Sequence, residues 1–125
     1  MILLNDFFTI DEKTVSDTEI KTQLHINAGH RIFEGHFPNQ PVVPGVCMMQ
    51  MIKEITETVL EKQTNLIEAA ELKFLVVINP LHNNLVHASI KYAAEQNGVI
   101  KINASMYKDE LMHFKCKFSL QKTGA

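Results

Sequence analysis

The sequence lacks the basic excess that a nucleic-acid-binding protein normally carries. Its 12 Lys and Arg residues are outnumbered by 14 Asp and Glu, so the formal net charge is −2 and the pI is about 6.3. Proteins that bind nucleic acid through electrostatics are usually basic overall or carry a dense basic stripe. We therefore expect no nucleic-acid partner.

Long hydrophobic runs are also missing. No apolar stretch approaches the roughly 20 residues that a transmembrane helix requires. The short apolar start is interrupted at once by Asn5 and Asp6, and no basic segment precedes it, so it does not resemble a signal peptide. These absences predict a soluble, cytoplasmic protein without a membrane span.

Cysteine is scarce, and histidine lacks the spacing of a metal site. Cys47 and Cys116 stand far apart among apolar neighbours, which is typical of buried thiols rather than of a disulfide framework. The six histidines form neither an H-x-x-x-H nor an H-E-x-x-H pattern. The sequence therefore predicts no structural metal site.

What the sequence does contain is enough apolar material for one core. Of its 125 residues, 46% are hydrophobic, and no linker or repeat divides them, so we expect a single domain over residues 1–125. Three of the four prolines lie between positions 38 and 44. This density predicts an extended, non-helical loop, because each proline restricts its own backbone and that of the preceding residue.

Hydrophobic periodicity predicts an α+β domain. A helical period follows Gly45 and continues to Glu61, and its first half, residues 46–52, is apolar except for Gln50, so we expect that half to be buried on all sides. Period-2 alternation or apolar runs predict strands at 7–15, 19–27, 71–78, 86–92, 100–106 and 112–120. Short turns between the later strands indicate an antiparallel meander that curls around the helix.

The segment between residues 33 and 50 carries the chemistry. It presents the imidazole of His36 on a proline-braced loop and then opens a helix at Gly45. A helix N-terminus offers free N–H groups and partial positive charge to a carbonyl oxygen that becomes negative during a reaction. A histidine facing that carbonyl can remove the α-proton. The arrangement suits proton abstraction or elimination on an acyl compound.

The same segment resembles the signature of the β-hydroxyacyl-acyl-carrier-protein dehydratases, which have the hot-dog fold. The family pattern is Gly-His-Phe-Pro, two residues, Pro-Val, one residue and Pro-Gly. Eight of the eleven positions from Gly35 to Gly45 match it without a gap, and Lys73-Phe74-Leu75 resembles the strand that follows the family's helix. The resemblance implies one long buried central helix wrapped by a curved antiparallel sheet.

The resemblance also implies site residues. It makes His36 the base, makes Gly45 the donor that polarises the thioester carbonyl, and places substrate contacts at Gly45 and Val46. The family's acid falls at position 50, where this sequence has Gln50. An amide can hydrogen-bond a hydroxyl but cannot protonate it. Either His36 performs both proton transfers while Gln50 orients the hydroxyl, or the chain is weak alone; Glu54, about 6 Å further along the helix, is a poor substitute.

Simpler interpretations stand beside these roles. Gln50 also begins a polar helical stripe that continues through Glu54, Glu57 and Glu61. Arg31, the only arginine, is either a surface cation or a docking residue for an acidic carrier protein. The methionines at 48, 49 and 51 fit a core as well as an acyl-chain tunnel, and the other five histidines are expected at the surface.

The resemblance implies a (3R)-hydroxyacyl-acyl-carrier-protein dehydratase of fatty-acid or related biosynthesis. Its substrate is an acyl thioester on acyl carrier protein or coenzyme A, and it needs neither metal nor redox cofactor. A homodimer or higher oligomer is implied, with sites between protomers. Two alternatives remain open: a non-catalytic or acyl-binding subunit that pairs with an acid-bearing paralogue, and a hot-dog acyl thioesterase.

Overall fold

Six strands and one long helix make up the fold of residues 2–34 and 41–123, the ranges that the computed structural model describes. The strands are β1 (Phe8–Val15), β2 (Glu19–Ile26), β3 (Thr64–Phe74), β4 (Leu85–Ala94), β5 (Val99–Lys108) and β6 (Leu111–Lys122), and the helix is α1 (Gly45–Leu60). Short 3-10 turns occupy Arg31–Phe33 and Gln96–Gly98. Neither α1 nor any other helix in these ranges is long and apolar enough to cross a bilayer.

The strands form one antiparallel sheet in the order β1-β2-β4-β5-β6-β3. The predicted meander is correct for β4, β5 and β6, and the expected turn at Asn97-Gly98 joins β4 to β5 with both residues at positive φ. It is wrong for β3, which pairs with β6 at the edge instead of with β4. The chain after β3 crosses to β4, so sequential neighbours are not spatial neighbours there.

The core lies between α1 and one face of the sheet. In β2, β4, β5 and β6 the apolar residues of the period-2 pattern are the buried ones, as Val86, Ala88 and Ile90 illustrate in β4. They join the buried helix residues Met51, Ile52 and Ile55 in one cluster. The sequence-based assignment to an α+β class with a long helix against an antiparallel sheet is therefore correct.

The first turn of α1 departs from the expectation of complete burial. Cys47, Met48, Met51 and Ile52 are buried, whereas Val46 is 66% exposed. The prediction that the whole of residues 46–52 is buried is wrong at this end, because the sheet of a single chain does not reach around the helix start. The helix begins at Gly45, as predicted, and ends one residue before the expected Glu61.

Strand β3 is the largest difference from the sequence-based prediction. The sequence predicts a strand at 71–78 from its apolar run, but β3 spans Thr64–Phe74 and is exposed on both faces except at Thr64 and Glu71. The apolar run beyond it is also exposed from Leu75 to Val77 and becomes buried only at Ile78. Apolar content alone does not distinguish a buried core strand from an edge strand whose apolar side chains are exposed in the single chain.

Candidate active site

The start of α1 presents two backbone N–H groups that have no acceptor among the residues that the structure describes. Pro44 is the N-cap residue, and its carbonyl accepts from the N–H groups of Cys47 (3.0 Å) and Met48 (3.3 Å). No side chain caps this end, and in the described ranges no acceptor lies within hydrogen-bond reach of the N–H of Gly45 or Val46. These two donors stand at the positive end of the helix macrodipole, where a carbonyl oxygen is stabilised as it gains negative charge.

The glycine at this helix start is required by packing. A Cβ on Gly45 would lie only 2.6 Å from Cε1 of Phe74. The Phe74 ring is held in place because it stacks on Phe114, with 5.0 Å between ring centroids. Gly45 therefore brings the helix backbone and its N–H groups close to an aromatic side chain of β3, which a larger residue would prevent.

The proline-rich loop is anchored where it joins the helix. Pro41 and Val43 are buried, and the N–H of Val43 donates to the carbonyl of Ile78 at 2.9 Å. This contact links the loop to the segment after β3. His36, the predicted base, lies outside the described residues, so its role remains a prediction.

Gln50 is half-buried on α1 and is held by a neighbouring carboxylate. Its Nε2 donates to Oε2 of Glu54 at 2.8 Å. Glu54 is only 6% exposed and also accepts from the backbone N–H groups of Leu3 (3.0 and 2.9 Å) and Leu4 (2.7 Å). Glu54 is therefore engaged in holding the N-terminal segment, which argues against it as a substitute general acid.

The polar stripe on α1 is a set of anchors rather than a solvated face. One turn after Glu54, Glu57 accepts from the backbone N–H of Thr64 (2.7 Å), from its hydroxyl (3.1 Å) and from Lys53 (3.2 Å). Only Glu61 of the stripe's carboxylates is exposed. The predicted helical spacing of these residues is correct. A polar stripe is normally exposed to solvent, however, and most of this one is not.

Two histidines that were expected at the surface are buried. His30 is 6% exposed; its Nδ1 accepts from the N–H of Ile32 (3.0 Å), so the proton resides on Nε2, which donates to Asp6 (2.9 Å). This hydrogen bond lowers the pKa of Asp6. His113 is 3% exposed, and its Nδ1 donates to the carbonyl of Val76 at 2.7 Å. Periodicity did not reveal these roles, because both depend on contacts far along the chain.

The methionines, Arg31 and the cysteines occupy ordinary core or surface positions. Met48 and Met51 are core residues, and Met49 is half-buried, as the core interpretation requires. Arg31 is exposed on the 3-10 turn, where its charge contributes to the lowered pKa of Asp6. Both cysteines are free and buried. No group of three or more His, Cys, Asp or Glu residues suited to a metal ion occurs in the described part of the chain.

Comparison with known protein families shows which family the chain belongs to. The family described as ApeI-like, ApeI dehydratase, matches residues 12–117, which is most of the chain. The chain belongs to the ApeI-like dehydratase family. Its similarity to the hot-dog dehydratases, inferred from residues 35–45, is thereby confirmed. A 3-hydroxyacyl-[acyl-carrier-protein] dehydratase FabZ from Rhizorhabdus wittichii is 19% identical over 115 residues, which cover 86% of this chain and 73% of that relative.

Solved structures of ApeI-like and other proteins share the fold. The dehydratase heterocomplex ApeI:P from Xenorhabdus doucetiae contains a similar chain, with a TM-score of 0.72, 21% identity and coverage of 90% of this chain and 96% of that one. A hypothetical thioesterase with coenzyme A from Streptococcus pneumoniae aligns at a TM-score of 0.66 with 10% identity, covering 94% of this chain and 86% of that one. These likenesses confirm the hot-dog fold, which hosts more than one chemistry.

Proposed function

We propose that the chain is a 3-hydroxyacyl thioester dehydratase, acting on substrates carried by acyl carrier protein or coenzyme A in fatty-acid or related biosynthesis. The observation that carries the proposal is the uncapped start of α1, where the N–H groups of Gly45 and Val46 face no protein acceptor within the described residues. The thioester carbonyl accepts from these groups. As an α-proton leaves, they stabilise the negative charge that develops on the carbonyl oxygen.

His36 performs the proton transfers in this proposal. Its neutral imidazole removes the α-proton, and the electrons of that C–H bond form the new C=C bond as the bond to the β-hydroxyl breaks. The imidazolium then returns the same proton to the departing hydroxyl, which leaves as water. The reaction needs no net proton and no redox partner, and an imidazole with an ordinary pKa near 6.5 is available as a base at neutral pH.

Gln50 orients the β-hydroxyl in place of the family's acid. Its amide is half-buried on the helix that begins at Gly45, and Glu54 holds one end of it. A fixed amide contributes by positioning the hydroxyl, since it has no acidic proton to deliver. The proposal therefore predicts catalysis that is slower than with an acid at position 50.

A second candidate is a subunit that depends on a partner chain. Among the described strands β3 has a neighbour on one side only, and exposed apolar side chains follow that edge and the helix start. They are Val46, Leu72, Phe74, Leu75, Val76 and Val77. An apolar surface of this kind marks a protein interface. With glutamine at position 50, the partner is either a second copy or an acid-bearing paralogue.

Hydration of a trans-2-enoyl thioester by the purified chain separates these candidates. A dehydratase catalyses this reverse reaction alone, whereas a partner-dependent subunit does so only after an acid-bearing paralogue is added. A thioesterase releases free thiol instead, which a thiol reagent detects. Thiol release without hydration would overturn the dehydratase proposal in favour of the thioesterase.

A further inference from the structure

The buried imidazole of His113 is hydrogen-bonded to the segment that supports the start of α1. We infer that His113 is a positioning residue: by holding the carbonyl of Val76, it fixes the segment 75–78 and, through it, the helix N-terminus that binds the thioester carbonyl. This inference rests on the proposed function, because it names a residue that keeps the proposed carbonyl-binding N–H groups in place.

The imidazole ring makes a single hydrogen bond to the described part of the chain. His113 is 3% exposed, and its Nδ1 lies 2.7 Å from the carbonyl oxygen of Val76. A carbonyl only accepts hydrogen bonds, so Nδ1 carries the ring proton. Nε2 is then an acceptor, and no donor reaches it within residues 2–34 and 41–123. A buried ring with one unpaired nitrogen is less favourable than an apolar side chain of the same shape, so the bond to Val76 is what this ring contributes.

The segment after β3 depends on hydrogen bonds for its position. The chain bends at Val76, and the side chains of Leu75, Val76 and Val77 are exposed, so little packing within the chain holds them. Leu75 N–H donates to the carbonyl of His113 (2.9 Å), and Val76 N–H donates to that of Met112 (3.2 Å). The imidazole adds a third bond to β6, and this bond orients the carbonyl of the bend residue.

The same segment supports the start of α1 through the proline-rich loop. Two residues after Val76, the buried Ile78 accepts from the N–H of Val43 at 2.9 Å. Val43 is itself buried and lies two residues before Gly45. A shift of the Val76 carbonyl is therefore passed through Ile78 and Val43 to the N–H groups of Gly45 and Val46. Such donors stabilise developing charge only when they are held in place, and a misplacement of about 1 Å is enough to weaken them.

An infrared measurement of a bound carbonyl tests the inference without requiring turnover. The probe is S-hexanoyl pantetheine with an isotope label on the thioester carbonyl; it has no β-hydroxyl, so no elimination occurs. Hydrogen bonds from the helix start polarise this carbonyl and lower its stretching frequency. We expect binding to the full wild-type chain to lower the frequency. The frequency of the bound probe does not depend on the fraction of folded protein, so partial unfolding cannot imitate a lost shift.

Two variants and one control assign the shift to the hydrogen bond of His113. His113→Phe keeps a planar ring but has no donor, so the shift should be largely lost. His113→Asn should retain it, because the side-chain NH₂ lies about where Nδ1 was and can donate to Val76. His87→Phe is the matched control: it makes the same substitution on the outer face of the sheet, where His87 stacks on Tyr107, and it should retain the shift.

The outcomes separate the inference from the proposed function. If the wild type binds the probe without a shift, or does not bind it, the proposed role of the helix start fails and the inference fails with it. If the wild type shows the shift and His113→Phe retains it, only the inference is overturned. Loss of the shift in His113→Asn or in His87→Phe also overturns the inference alone. Should His113→Phe not fold, nitrogen NMR of the wild-type chain decides: Nδ1 must carry the ring proton, and a proton on Nε2 instead overturns the inference.

Discussion

At the scale of single residues, position 50 decides how the proposed reaction handles its protons. Gln50→Glu places a carboxyl within hydrogen-bond distance of Glu54, since the present amide nitrogen is 2.8 Å from Oε2. Two carboxyls so close share a proton, which raises the pKa of one of them and supplies a general acid. We expect turnover of a 3-hydroxyacyl thioester to rise, by up to about 10²–10⁴-fold, and to fall again as the pH increases.

The sign of this change is informative in either direction. An active native chain that loses turnover on Gln50→Glu would show a pocket suited to the amide. An unchanged rate at all pH values would place Gln50 outside the reaction centre. Stability should be measured alongside, because a second buried carboxyl without full hydrogen bonding lowers the free energy of unfolding.

His36 gives the most direct test of the proposed mechanism. His36→Ala should reduce kcat for enoyl hydration by about 10²–10⁴-fold, the usual contribution of a general base. Circular dichroism and the melting temperature should change little, because the sequence predicts a loop at His36, where an imidazole contributes little to a core. Activity within a few-fold of the wild type would exclude His36 as the base.

The buried thiol of Cys116 predicts a pH dependence of stability. Burial raises its pKa from 9.0 to about 12 in the folded chain. Between these values the unfolded chain has lost the thiol proton and the folded chain has kept it, so stability falls as the pH rises. The loss amounts to about 1.4 kcal/mol per pH unit above pH 9.

Urea unfolding at pH 8 and pH 10 measures this effect. Cys116→Ala should lose less stability between the two pH values than the wild type, although it starts from a lower value because of the cavity it creates. Equal losses in the two proteins would show that the thiol is not the group responsible.

At the scale of elements, the end of α1 contains a correctable strain. Glu61 is the C-cap residue and has a left-handed backbone, with φ at 55° and ψ at 43°. Glycine adopts this conformation without the steric cost that a Cβ imposes. Glu61→Gly should therefore raise the free energy of unfolding by about 0.5–1 kcal/mol and the Tm by about 2–4 °C.

Lys62→Gly provides the control for that change. Lys62 follows directly and does not have a positive φ, so glycine there adds only conformational freedom to the unfolded chain. The Tm of the Lys62→Gly variant should stay the same or decrease. A lower Tm for Glu61→Gly, measured by calorimetry, would contradict the strain at the C-cap.

Element prediction from the sequence worked where burial alternates along a strand. In β4 and β6 the apolar residues lie inward, as the period-2 pattern requires. It did not work for β3, because the stretch Glu68-Ala69-Ala70 lacks β-branched residues and the run after Phe74 looks like core. β3 is positioned by pairing with β6, about 50 residues later, and no local pattern encodes that pairing.

At the scale of the whole molecule, the exposed apolar edge predicts a dimer. Val77 is 65% exposed beyond the end of β3, so Val77→Lys places a charge in the proposed interface without disturbing the core. We expect the wild-type chain to sediment as a dimer at micromolar concentration and this variant to shift toward the monomer.

A matched substitution lies at the opposite edge of the sheet. Val15 on β1 is 46% exposed, and Val15→Lys should leave the sedimentation behaviour unchanged. If both variants remain dimeric, the β3 edge is not the interface. If the wild type is a monomer that dimerises only with an acid-bearing paralogue, the partner-dependent candidate is favoured.

The sequence by itself determined the features that depend on neighbouring positions. The α+β class, the start of the helix at Gly45 and the dehydratase resemblance all follow from patterns within about 15 residues, where periodicity, proline restriction and motif spacing operate. The departure at Gln50 was visible for the same reason. Such patterns indicate which face of a helix or strand is apolar, but they do not indicate which other residues pack against that face.

Only the tertiary structure decided what the polar groups of the helix do. Glu54 looked like part of a solvated stripe, yet it is buried because Leu3 and Leu4, about 50 residues away, supply the N–H groups that make burial of a carboxylate tolerable. His30 is buried for a similar reason, through Asp6. The energy that keeps a charged or polar group inside a protein comes from its partners, and the chain brings these partners together only when it folds.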